Sequence, residues 1–256
     1  MKLLHLDIET KPMVAYAWGL WKQNIAINQI VESGATICWA AMWDSDRKMK
    51  FDSVHKSSHK DMLKGIWNLL DEADAVVHYN GTKFDIPTLN LEFAKHDMLP
   101  PSPFHQVDLY SVVRNRFRSP SNKMDYISQE FKLGSKTKHM GMQLWTDCMA
   151  GDKKAWKLME KYNRQDVLLL QKLYKKLLPW IKNHPNHALF SEDPRPMCPN
   201  CGSHHVVKRG KETTQVGIYQ RYSCTSCGTP IRGRTSVISG KEYKEKRKGI
   251  LTASKL

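Results

Sequence analysis

The chain has 256 residues and a formal charge of +15, from 40 Lys and Arg against 25 Asp and Glu, with a sequence pI near 9.5. That length allows one large domain plus a small appendage, and the positive balance points to an anionic partner, nucleic acid first, with an acidic membrane surface or plain solubility as alternatives. No apolar run approaches the roughly 18 residues of a membrane span, and Asp7 interrupts the N-terminus before the apolar centre of a signal peptide can form. The expected location is intracellular, in the cytoplasm.

In chain order, Leu4, Leu6 and Ile8 alternate with His5, Asp7 and Glu9, the period of a strand with one apolar and one polar face. Residues 36–43 are apolar almost throughout, as a central strand would be. An amphipathic helix is expected over about 60–70, with Leu63, Ile66, Trp67 and Leu70 on one face. Residues 75–79 read as a short strand, and Asn80-Gly81 turns the chain after it. Residues 84–95 then look helical, with Pro87 tolerable in the first turn. Pro100-Pro101-Ser102-Pro103 is a stiff connector, order resumes at 107–110, and 125–131 is a helix. A long helix is expected over 153–181, stacking Leu158, Tyr162, Asp166, Leu169, Leu173 and Leu177 along one side. Strands alternating with helices imply an α/β domain with a mixed sheet.

Three pieces of this pattern carry chemistry. Asp7 and Glu9 lie two apart on a strand, so both project from one face. Neighbouring carboxylates repel unless a cation sits between them, and hard oxygen donors suit Mg²⁺ or Mn²⁺; a solvated strand face is the alternative. Asp85 falls at a strand-to-helix edge, where α/β sites tend to lie, and by itself reads equally as a helix N-cap. Tyr162 and Asp166 are one helical turn apart on one face. Asp166 interrupts an apolar stripe, which is costly for a carboxylate unless it is paired or binds metal. The alternative there is a salt bridge to Arg164 or a lysine.

Together, D-I-E at Asp7–Glu9, N-x-x-x-F-D at Asn80–Asp85 and Y-x-x-x-D at Tyr162–Asp166 resemble the three exonuclease motifs of the DnaQ-like branch of the ribonuclease H-like superfamily. The middle motif is most similar to proofreading domains of B-family DNA polymerases and to related stand-alone exonucleases. The resemblance covers about residues 2–182. It implies a ribonuclease H-like fold and the DEDDy type of 3′–5′ exonuclease, since Lys161 stands where the DEDDh branch has histidine. It further implies two divalent ions, Mg²⁺ or Mn²⁺, with Asp7 bridging both, Glu9 and Asp166 completing one site and Asp85 serving the other. Tyr162 would orient the attacking water, and the product would be a nucleoside 5′-monophosphate. Asn80 and Phe84 would position the 3′-terminal nucleotide or shape the pocket, and Lys123, in Lys-Met-Asp-Tyr, would touch a phosphate. Asp108 is a spare acid outside the three motifs. No polymerase sequence follows, so the expectation is action beside a polymerase or another replication or repair protein in trans.

The other chemical signal is C-terminal. Four of the six cysteines fall in Cys198-Pro199-Asn200-Cys201-Gly202 and Cys224-Thr225-Ser226-Cys227-Gly228. In a reducing compartment this spacing reads as metal before disulfide, and four thiolates close a structural zinc site with no open position. Cys38 and Cys148 stand alone beside bulky apolar neighbours and read as buried thiols. The stretch 206–223 is consistent with strands of a zinc ribbon and resembles ribbons at the N-termini of some insertion-element transposases. Residues 184–256 carry 13 Lys and Arg against 5 Asp and Glu, so basic side chains beside Tyr219 and Tyr222 suit phosphates and bases.

The expected organisation is therefore an exonuclease domain over 1–183, a linker over 184–196, a zinc ribbon over 197–236 that grips substrate, and a mobile basic tail over 237–256. The expected substrate is single-stranded DNA with a 3′ end. An RNA exonuclease and a non-catalytic DNA-binding protein on a vestigial nuclease fold are the alternatives.

Overall fold

The computed structural model describes residues 1–46, 48–137, 141–238 and 240–252. The chain forms two compact units, Met1–Lys175 and Lys176–Leu256.

The first unit is built on a mixed sheet of five strands: β1 (Leu3–Lys11), β4 (Ala35–Trp43), β5 (Met49–Ser53), β6 (Ala75–His78) and β7 (His105–Asp108). Their order is β5-β4-β1-β6-β7. β1 is central, antiparallel to β4 and parallel to β6; β4–β5 is antiparallel and β6–β7 parallel. This is the ribonuclease H-like mixed sheet that the resemblance implies. A small hairpin, β2 (Val14–Ala15) with β3 (Ile30–Glu32), interrupts the β1–β4 connection. It exposes Trp18, Leu20, Trp21 and Ile27, and it is held by main-chain and Gln29 hydrogen bonds rather than by burial.

Helices cover both faces of the sheet. α1 (His59–Glu72) is capped by Ser58, whose hydroxyl accepts from the Asp61 N–H at 3.1 Å. With α2 (Asp85–Lys95) it buries Met62, Leu63, Ile66 and Phe93 against Leu4, Leu6 and Ile8. On the opposite face, α5 (Met142–Met149) and α6 (Lys153–Leu177) pack Leu144, Trp156, Met159 and Val167 against Ile37, Cys38, Ala40 and Met42. The polar face of β1 is therefore largely covered by helix. His5 is fully buried, and Asp7 and Glu9 are half-buried. α3 (Leu109–Arg116) and α4 (Met124–Glu130) complete the unit.

The α6 helix ends at Leu177, short of the expected residue 181, and passes into a 3-10 turn at Leu178–Trp180. Pro179 accounts for the stop, because it lacks an N–H and its ring clashes with the carbonyl four residues back.

The second unit contains a three-stranded antiparallel sheet of β8 (Val206–Thr214), β9 (Gly217–Cys224) and β10 (Pro230–Ser236), with β9 in the middle. A helix, α7 (Lys241–Lys248), lies in the expected basic tail, and the Tyr243 hydroxyl donates to the Val216 carbonyl at 3.1 Å. Ser239 and residues 253–256 of that tail fall outside the described residues. Among the described residues no helix is long and apolar enough to cross a membrane.

Candidate active site

The acidic residues converge at one end of β1. Carboxylate oxygens of Asp7, Glu9 and Asp166 all lie within 4.8 Å of one another. Period two on β1 aims Asp7 and Glu9 at the face that α6 covers, and the stripe on α6 brings Asp166 down onto them. Asp85 reaches the group from another direction. The β1–β6 ladder runs only from Leu3 to His5, which leaves later donors on that edge of β1 unpaired. Asp85 Oδ1 accepts one of them, the N–H of Ile8 between the two acids, at 3.2 Å. Its carboxylate thus braces β1 and does not cap its own helix, whose cap position is Phe84.

The turn that delivers Asp85 is tightly specified. Asn80 adopts a left-handed backbone with φ of 68°, which Asn tolerates better than most residues. A Cβ on Gly81 would meet the His78 ring at 2.5 Å, and the Gly81 N–H donates to His78 Nδ1 at 3.0 Å. Asp108 Oδ1 accepts from the N–H groups of Asn80 (2.9 Å) and Tyr110 (3.0 Å). It caps α3 and anchors the turn, a structural role for the spare acid.

Two polar residues that the three motifs do not specify touch the acids. Lys136 Nζ contacts Asp166 Oδ2 at 2.6 Å and the Tyr162 hydroxyl at 3.3 Å. Asn163 is fully buried, and its Nδ2 donates to Asp7 Oδ2 at 2.6 Å and to the Asp7 carbonyl at 3.3 Å. The ion pair weighed for Asp166 is therefore formed, with Lys136, while Arg164 pairs with Glu160 instead. Lys136 lies in an aperiodic loop whose main chain is tied to Asp125 Oδ1 at 2.7 Å, so no sequence period marks it. Asn163 did carry a signal: a second polar residue in the buried stripe, four after Met159 and four before Val167.

Electrostatics follow from this crowding. Burial, then the neighbouring Asp166, Glu9 and Asp85 carboxylates, hold Asp7 well above the usual carboxylate range. Burial and Asp166 push Glu9 up to about 8. Burial raises Asp85 to about 7 despite the Ile8 N–H, and burial also raises Asp166 although Lys136 opposes it. Burial disfavours the Lys136 ammonium, but Asp166 and Asp7 more than offset it, and its pKa lies above the ordinary lysine value. Burial, then Asp166, raises the Tyr162 phenol.

This donor set fits hard divalent cations. It offers only oxygens, it keeps like charges together at a cost that a cation relieves, and Asp166 Oδ1 is buried with no hydrogen-bond partner among the described residues. Beside it opens a cleft of about 580 Å³ lined by Asp7, Asn80, Tyr110, Lys123 and Lys136 among others. Asn80 and Lys123 thus share a wall with Asp7, whereas Phe84, 46% exposed, does not line this cleft.

In the second unit the four knuckle cysteines come together, with Cys198 Sγ 3.6 Å from Cys227 Sγ and Cys201 Sγ 3.6 Å from Cys224 Sγ. All four are free thiols, and the separation is close to the edge of about 3.8 Å of a tetrahedron with 2.3 Å zinc–sulfur bonds. Gly202 and Gly228 close the knuckles at φ of 72° and 82°. Asn200 ties the first knuckle to the Leu178 and Ile181 carbonyls at 2.8 and 3.0 Å. Lys208, Arg209, Lys211 and Arg221 are exposed on β8 and β9, while Arg232 sits over the Tyr219 ring at 4.9 Å.

A central strand carrying Asp-x-Glu, crossed by a helix carrying a third acid, defines a ribonuclease H-like nuclease core. The chain belongs to the RNase_H superfamily, whose family profile matches residues 4–178. Among solved structures it is similar to the family B DNA polymerase of the hyperthermophilic archaeon Pyrobaculum calidifontis. The TM-score is 0.54 and the identity 17%, over 70% of this chain and 24% of the polymerase chain. The likeness is therefore one of fold, over about a quarter of the polymerase. No curated protein matches. Membership of this superfamily supports a nuclease that acts on nucleic acid with divalent metal.

Proposed function

We propose that this chain is a 3′–5′ exonuclease of the DEDDy type that releases nucleoside 5′-monophosphates from single-stranded DNA 3′ ends. The observation that carries the reading is the cluster of Asp7, Glu9 and Asp166 from β1 and α6, with Asp85 of α2 bonded to the strand between the first two, Tyr162 and Lys136 beside Asp166, and Asp7 and Lys136 on the wall of a cleft. Asp7, Glu9 and Asp166, with Asp85, would hold two Mg²⁺ or Mn²⁺ ions, whose chemistry is to acidify a water and neutralise a leaving oxygen.

The chain's own groups prepare the rest. A raised pKa keeps the Tyr162 hydroxyl protonated, so it orients water as a hydrogen-bond partner and does not serve as a base. Lys136, always charged, both steadies Asp166 and presents its ammonium to the cleft, where a phosphate gains a charge-assisted hydrogen bond. Lys123 supplies a second cation on the same wall. Asn163 fixes the rotamer of Asp7, and Asp85 fixes the strand between Asp7 and Glu9. Asn80 and Phe84 are assigned to the terminal nucleotide. The zinc ribbon, residues 197–236, would add an exposed basic face for the backbone.

The test uses 5′-end-labelled single-stranded DNA and RNA with Mg²⁺, for the wild type and Asp7→Ala. Stepwise shortening of DNA with mononucleotide release, lost by about 10³-fold in Asp7→Ala, is the expected result; several kcal/mol of metal-borne stabilisation goes with the ligand. Activity that survives Asp7→Ala would sink the mechanism. Faster shortening of RNA would reassign the substrate, and inertness on both would favour a binding protein.

A further inference from the structure

A second cluster of metal-binding side chains lies away from the acids, where α1 begins and α2 ends. Glu92 and His96 are four residues apart at the end of α2, the spacing that stacks two side chains on one helical face. His59 is the first residue of α1. Donor atoms of all three lie within 4.8 Å of one another, and the His59 and His96 rings meet edge-on with centroids 5.0 Å apart.

The detailed contacts are those of a site and not of a closed ion pair. The Glu92 side chain is 3% exposed, and Lys95 Nζ takes only one of its oxygens, Oε1, at 3.1 Å. The other, Oε2, faces His59 Nε2 at 3.1 Å. That nitrogen is buried and makes no hydrogen bond of its own among the described residues. A buried ring nitrogen and a carboxylate oxygen of a buried side chain thus face each other with no aligned hydrogen bond between them. A cation bound between them would satisfy both. Two imidazoles with one carboxylate suit zinc or a similar borderline transition ion, not Mg²⁺.

We propose that His59, Glu92 and His96 form a structural site for one zinc-class transition-metal ion, which clips the start of α1 to the end of α2. Glu92 is seven residues, about 10 Å along the helix, from Asp85. The ion therefore braces the helix that delivers Asp85, yet the site does not depend on what the acids do.

The experiment counts zinc and needs no activity. The full chain is dialysed with excess Mg²⁺ and a small molar excess of Zn²⁺ over both proposed sites, and bound zinc is measured by mass spectrometry for the wild type, His59→Asn/His96→Asn and Cys201→Ser. The expected result is that the histidine variant holds one equivalent fewer than the wild type and that Cys201→Ser loses a different one. Added zinc should also raise the Tm of the wild type by roughly 5 °C more than that of the histidine variant. His96→Gln, at a half-exposed helix end, tests the same point if the double variant does not fold: zinc affinity should fall at least about tenfold. Equal zinc content in the wild type and the histidine variant, or unchanged affinity in His96→Gln, would overturn the site.

Discussion

Lys136 and Asn163 each hold one acid from a position that no motif marks. Lys136→Met removes a charge-assisted contact from Asp166 and from the cleft, and such contacts are worth about 1.5–3 kcal/mol. Hydrolysis should fall by about 10- to 100-fold, measured as kcat/KM on a labelled oligonucleotide. Asn163→Ala leaves Asp7 without its buried donor. Chemical denaturation should show a loss of about 1–3 kcal/mol, and half-maximal activity should need more Mg²⁺; an unchanged metal requirement would deny Asn163 its positioning role. The acids also set a pH dependence. Glu9 moves from an ordinary 4.5 to about 8 and Asp85 from 3.8 to about 7 in the fold. Because the folded values lie above the unfolded ones, the folded state binds more protons through this window. Metal-free protein should therefore lose stability as pH rises from about 4 to about 8. Cations compete with those protons, so Mg²⁺ should raise the Tm more at pH 8 than at pH 6. A Mg²⁺ effect independent of pH would contradict this.

At the scale of elements, the β6–α2 connection decides where Asp85 stands. Gly81→Ala places a methyl 2.5 Å from the His78 ring, an overpacking that costs about 1–3 kcal/mol. Urea denaturation should register that loss, and activity should drop with it because Asp85 shifts against Ile8. The same connection shows what was legible beforehand. The turn at Asn80-Gly81, the helix after it and the strand before it could all be read from residue type and period. The target of Asp85 could not: its partner is an N–H on β1, freed because the β6 ladder stops at His5, and pairing extents are set by the assembled sheet. The α6 helix gives the converse case. Its buried stripe was readable, Pro179 marked its end, and the expected extension past Leu177 overlooked that proline.

For the molecule as a whole, the ribbon and the nuclease unit divide the charge. Deleting residues 191–256 should weaken oligonucleotide binding and reduce its salt dependence, because fewer phosphates are neutralised, with hydrolysis of short oligonucleotides retained. Unchanged affinity across a salt titration would remove the ribbon from substrate binding.

By itself, the sequence determined the alternation of strands and helices, the two cysteine knuckles and the acids that share a face. These depend on periods and spacings within a few residues of one another, and the chain cannot hide them. Only the tertiary structure decided that α6 covers the polar face of β1, that Lys136 pairs with Asp166 and Asn163 with Asp7, and that His59 meets Glu92 and His96. Each of these joins residues tens to more than a hundred positions apart, and local propensity carries no information about such pairs. Close packing of two helix layers on one sheet is what brings them into contact.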